Sequence, residues 1–135
     1  MLARAALRFT PIKGTPVPLI ENEYVISKTF GSIWHSKGII DTWRPGFCYI
    51  TNKRLFMWRD EEMLLETSLD EIGGLMIRTE PHMGKEREEL ALYLKCGEVG
   101  RLRISDVGRF KDAIEDACVK KLEIDAKKEC VVISA

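Results

Sequence analysis

Two histidines, His35 and His82, are the only imidazoles in a chain of 135 residues. Neither has a partner at the spacing of a metal site or a catalytic triad, and an imidazole without an orienting neighbour has no base chemistry to perform. The four cysteines, Cys48, Cys96, Cys118 and Cys130, form no C-x-x-C pair. Structural zinc draws on closely paired ligands, so a scattered Cys48, Cys96, Cys118 and His82 set lacks the expected pattern. Asp60–Glu61–Glu62 places three carboxylates in a row. Catalytic carboxylates need burial or a charged neighbour to separate their pKa values, and this run reads as a solvated turn. Gly73–Gly74 leads into a strand pattern, so it cannot aim a helix N-terminus at a phosphate. The residues predict no catalytic group, no metal and no cofactor. What remains is the chemistry of binding.

The side chains available for binding are basic and unevenly spread. The chain holds 21 basic and 21 acidic residues, which excludes a nucleic-acid binder working by bulk charge. Residues 1–58 nevertheless carry eight basic side chains against Glu21, Glu23 and Asp41, a balance of +5, which leaves −5 for the rest. A neutral protein can in this way offer a basic face to an anionic surface, unless folding interleaves the two halves.

The elements that must position these side chains belong to one soluble domain. Apolar residues make up 45% of the chain and charged ones 31%, enough for a packed core. The longest apolar runs, such as Leu55–Trp58, fall far short of the ~20 residues that span a bilayer. With no secretory pattern and no cysteine framework, a reducing cytoplasm is the expected compartment. Pro11, Gly14, Pro16 and Pro18 mark residues 1–18 as an extended or flexible leader, whose first nine residues read as a frayed end or a short basic amphipathic helix.

From Tyr24 the pattern turns to short β-rich runs. Tyr24–Phe30 reads as a first strand and Gly31–Gly46 as a loop. Phe47–Ile50 and Leu55–Trp58 form a hairpin about Thr51–Asn52–Lys53–Arg54, since asparagine hydrogen-bonds its own turn. Met63–Thr67, Leu75–Thr79, Leu90–Leu94 and Arg101–Ile104 are further strands, with Glu80–Glu88 too charged for anything but a loop. In the last strand Arg101 and Arg103 alternate with Leu102 and Ile104, which turns both arginines away from the core onto a solvated face. One helix follows. Ser105–Asp106 supply cap oxygens, and Val107, Phe110, Ile114, Ala117 and Cys118 fall on one stripe. Residues 122–135 form a tail whose Val131–Val132–Ile133 reads as an edge strand, an oligomer contact or disorder. The class is mainly β, with the helix laid against an antiparallel sandwich or barrel.

Gly46–Phe47–Cys48–Tyr49–Ile50–Thr51–Asn52–Lys53–Arg54–Leu55 resembles the strand–turn–strand signature G-x-x-x-x-T-N-x-R-L of GRAM and bacterial pleckstrin-homology-like domains. Ser68–Leu69–Asp70–Glu71–Ile72 is similar to their P-L-x-x-I segment, with serine in place of proline, and the terminal helix matches their capping helix. The resemblance covers roughly residues 19–121. It implies a pleckstrin-homology-like barrel of about seven antiparallel strands closed by one C-terminal α-helix, and no enzyme. It also implies peripheral attachment to anionic membrane lipid, phosphoinositides among them, or docking of a protein partner.

By the same resemblance the lipid site lies around the loop between the first two strands, here Lys37 and Arg44 with Lys28 before it. The family's K-x-(n)-[KR]-x-R spacing is absent, because Pro45, Gly46 and Phe47 follow Arg44. Lys53 and Arg54 form a second basic spot that doubles as part of the fold signature. Ile40 and Trp43 either anchor that loop in the membrane interface, where tryptophan is favoured, or fill the barrel's own core. The competing reading is a protein–protein scaffold with no lipid role, self-associating through the tail.

Overall fold

The computed structural model describes residues 8–12, 15–37 and 40–134. Two short strands, β1 (Arg8–Ile12) and β2 (Thr15–Leu19), pair antiparallel. Seven more follow: β3 (Val25–Lys37), β4 (Ile40–Thr51), β5 (Arg54–Arg59), β6 (Glu62–Ser68), β7 (Ile72–His82), β8 (Lys85–Leu94) and β9 (Val99–Ile104). They make one antiparallel sheet in the order β6-β5-β4-β3-β9-β8-β7, curled into a half-barrel. A short 3-10 turn, Leu69–Glu71, joins its two outer strands, and a single helix, α1 (Val107–Ser134), closes it.

The core follows from strand alternation. Cys48 and Ile50 of β4, Leu55 and Met57 of β5, Leu90 and Leu92 of β8 and Leu102 of β9 point inward. They meet Phe110, Ile114 and Ala117 on one stripe of α1. Leu69, tucked in by the 3-10 turn, joins the same cluster. A second, smaller cluster lies on the other face, where Val17 and Leu19 of β2 cover Tyr49 and Phe56. Residues 17–19 are therefore packed against the sheet, and a boundary drawn after residue 18 cuts through a buried strand.

The sheet consists of two meanders, β3 to β6 and β7 to β9, joined by the pairing of β3 with β9. That ladder is short: Gly31, Ser32 and Ile33 face Ile104, Arg103 and Leu102. It is extended by the Ser105 N–H donating to the Phe30 carbonyl and the Thr29 hydroxyl donating to the Ser105 carbonyl. Glycine is required at position 31, because a Cβ there would run into the Arg103 carbonyl and Ile104.

Three expectations are corrected here. Gly31–Gly46 is no loop: β3 and β4 pair without a break from Ser27↔Ile50 to Lys37↔Ile40. Glu80–Glu88 likewise forms the end of the β7–β8 hairpin, with Thr79↔Glu88 and Glu80↔Arg87 in register. The tail holds no edge strand either, since α1 runs on through residue 134. Its solvent-facing stretch carries Lys111–Glu115, Asp116–Lys120 and Lys121–Asp125 pairs one turn apart, which stabilise helix without any core.

Candidate functional site

The T-N-K-R turn is a lock. The Thr51 hydroxyl accepts from the N–H groups of Lys53 and Arg54 and donates to Glu23 at 2.6 Å. The Asn52 side chain accepts from the Tyr24 N–H and donates to the Asn22 carbonyl. Arg54 is buried: its guanidinium donates to both oxygens of Glu23 at 2.9 and 3.0 Å, to Glu66 at 2.7 Å and to the Pro18 carbonyl. Its plane also lies over the Phe56 ring. Each of the three guanidinium nitrogens of Arg54 donates inside the protein, which gives the residue a structural role at this turn. Lys53 remains at the half-buried turn beside it.

The other basic candidates scatter along the β3–β4 hairpin. Lys37 and Ile40 stand opposite each other at its end, with their side chains outside the described residues. Arg44 is held by Glu62 at 2.7 Å. Lys28 lies further down, with its Nζ 4.4 Å from the centre of the Phe47 ring. The structure does not bring these residues together. Trp43 is not a free interfacial anchor, because it packs on Trp34 at 5.2 Å, directly across the hairpin.

That tryptophan pair belongs to a cluster the sequence did not reveal. Glu89 on β8 has no exposed surface. It accepts from Arg101 in bidentate fashion, at 2.9 and 3.0 Å, and from Arg103 at 3.2 and 3.3 Å. Arg103 lies 4.0 Å from the Trp43 ring centre, while Arg101 lies 5.1 Å from Trp34 and 5.3 Å from Trp43. Burial pushes the Glu89 carboxyl up, but the hydrogen bonds and charges of Arg101 and Arg103 outweigh it and hold the pKa below the ordinary range. The two arginines were expected to make minor pairs on a solvated surface; they neutralise a buried carboxylate instead. The alternation that turned them outward was legible, but the partner Glu89 fell between the stretch read as loop and the strand read from Leu90.

Next to this cluster is an open depression of about 780 Å³ between β3, β8, β9 and the start of α1. Arg87, Arg103 and Arg109 line it, along with Ser105, Glu88 and Asp106. Arg87 and Arg109 are exposed, with no ion pair among the described residues. The first turn of α1 carries no acidic residue, and Asp106 stands immediately before it on the rim of the depression. Sequence reasoning missed this site because its arginines come from three separate elements.

Chemistry of the catalytic kind finds little support. Among the described residues no group of three or more His, Cys, Asp or Glu side chains could hold a metal ion. Cys48 is fully buried and burial pushes its thiol pKa up, so it keeps its proton. No helix among the described residues is long and apolar enough to cross a membrane.

No protein-family model matches the chain, and no curated protein matches it. Solved structures do. The Vps36 N-terminal PH domain superposes with a TM-score of 0.60 at 22% identity, covering 88% of this chain and 97% of that one. The C-terminal domain of an unknown protein from Leishmania infantum gives a TM-score of 0.57 at 14% identity, covering 72% and 85%. The seven-stranded half-barrel with its closing helix is a pleckstrin-homology-like fold.

Proposed function

We propose that this pleckstrin-homology-like chain, whose β4–β5 hairpin carries the GRAM-type signature, is a non-catalytic module that attaches peripherally to anionic membrane lipid. The reading rests on one observation above the others: Arg87, Arg103 and Arg109 line a single open depression at the start of α1. A lipid phosphate needs converging guanidinium donors, and Arg offers them in a planar fork. Glu89 supports the arrangement by fixing Arg103 from behind. The β3–β4 arm adds Lys28, Lys37 and Arg44, with Ile40 near its tip, and Lys53 stands apart from them in the β4–β5 turn.

Co-sedimentation with phosphatidylserine vesicles tests this. Binding is expected at low salt and falls as salt rises, because screening shortens the reach of exposed charges. The Arg87→Glu/Arg109→Glu variant should bind at least about 30-fold more weakly, at ~1 kcal/mol per basic residue near the surface. Loss in Lys37→Glu/Arg44→Glu alone would move the contact to the hairpin arm. Absence of binding at low salt would leave the protein-partner reading. That second reading has its own support in a groove where Tyr24 and Ile26 meet Ala117 and Ile124 of α1, with Tyr24, Ile26 and Ile124 exposed.

A further inference from the structure

On the face of the sheet opposite the main core, three aromatic rings stand in one row across three strands. Phe30 of β3 faces Phe47 of β4, and Phe47 faces Trp58 of β5. Phe30 is 52% exposed and Phe47 37%, so the row is open to solvent. The Phe30 and Phe47 rings meet edge to face, 5.3 Å apart and inclined at 70°, which makes them adjoining walls of one recess. This recess has a volume of about 710 Å³. Tyr49 contributes to its wall, and the β5–β6 turn sets Asp60 and Glu61 on its rim.

We propose that this recess is an aromatic cage for a quaternary ammonium group of the choline type. Rings carry negative charge on their faces, and a methylated ammonium suits them because it has no N–H donors and sheds water readily. Perpendicular walls contact such a group on several sides, which a flat aromatic surface cannot. Arg59, Asp60 and Glu61 all line the recess. Arg59 pairs with Asp60 at 3.3 Å, and Glu61, with no ion pair among the described residues, offsets the charge of Lys28 over the rings.

One further observation concerns the same rings. They already accept an ammonium, since Lys28 Nζ lies 4.4 Å from the centre of Phe47 and 5.6 Å from that of Tyr49, and a bound quaternary ammonium would displace it from the Phe47 face. The cage lies apart from the depression of Arg87, Arg103 and Arg109, with which it shares Phe30, although Lys28 also stands among the basic residues of the β3–β4 arm.

The test follows the Trp58 indole resonance of the full chain in ¹H–¹⁵N spectra, assigned with Trp58→Phe. Tetramethylammonium and choline are titrated against dimethylbutanol, the neutral carbon isostere of choline. Both cations should shift the resonance saturably, with the isostere about ten-fold weaker, a ratio within the range for cation–π binding. Phe47→Leu removes a wall and should abolish the shift. Glu61→Gln, at an exposed turn where folding is not at stake, should weaken it a few-fold while the rest of the spectrum stays native. An equal response to the isostere, or no saturable shift with either cation, overturns the cage. Pelleting with vesicles of phosphatidylcholine alone, competed by free choline, identifies a lipid headgroup as the source. Choline binding without pelleting identifies a soluble ligand.

Discussion

Among the described residues two carboxylates are buried, and they are handled in opposite ways. Glu23 meets Arg54, which also serves Glu66, so two acids share one guanidinium whose side chain is only 5% exposed. Glu89 meets Arg101 and Arg103, so one acid holds two guanidiniums, exposed by 33% and 15%. The first network closes on itself and ties the segment before β3 to the β4–β5 turn. The second leaves a surplus positive charge at the surface, stacked on Trp34 and Trp43. Burial of an ion pair is thus compatible with two outcomes, a fastening or a mount. The count of acids to bases and the exposure of the bases decide which.

The largest way to break the comparison is Arg54→Met. It leaves Glu23 buried and uncompensated, so unfolding in urea should show a loss of about 3–5 kcal/mol, with vesicle binding per folded molecule unchanged. Glu89→Gln comes next, at about 2 kcal/mol for the charged hydrogen bonds lost. Its signature is pH dependence. The folded pKa of Glu89 is depressed, so its stabilisation is complete above the unfolded value of about 4.3 and is lost as pH falls through the folded pKa. The gap between the parent protein and Glu89→Gln should therefore close in acid, whereas a packing defect would persist at every pH. Smallest is Trp43→Leu, which removes the ring over Arg101 and Arg103 and should cost about 1 kcal/mol. A thermal scan reads it, and a fall as large as that of Arg54→Met would show that the mount is a fastening after all.

The sequence made the β4–β5 hairpin, the 3-10 turn and the start of α1 legible, because each is written in local residues: an asparagine turn, an inward Leu69 and an apolar stripe. The misread stretches share a cause. Gly31 and Gly46 looked like breakers, but each makes room for a neighbouring element, Gly31 for β9 and Gly46 for Leu64. The alternating charges of 80–88 looked like loop, but a two-stranded arm needs register and no core. Val131–Val132–Ile133 reads by residue type as an edge strand, an oligomer contact or disorder, and α1 runs through these residues to Ser134. The site was least legible. Of the residues singled out as contacts, Arg54 is spent on Glu23 and Glu66, Trp43 packs on Trp34 and Arg44 pairs with Glu62 at the surface. Arg87, Arg103 and Arg109 gather only once three elements have folded together.

The three-residue ladder between β3 and β9 makes the sheet resemble a book with a short spine. Each leaf has its own long hairpin, and the backbone pairing between the leaves is confined to Gly31–Ile33 against Leu102–Ile104. Phe30 sits on one leaf at the end of that spine, and Ser105, Arg103 and Arg109 on the other side of the gutter. A bound anion there would act as a staple, turning occupancy of a shallow surface into stiffness of the whole cover.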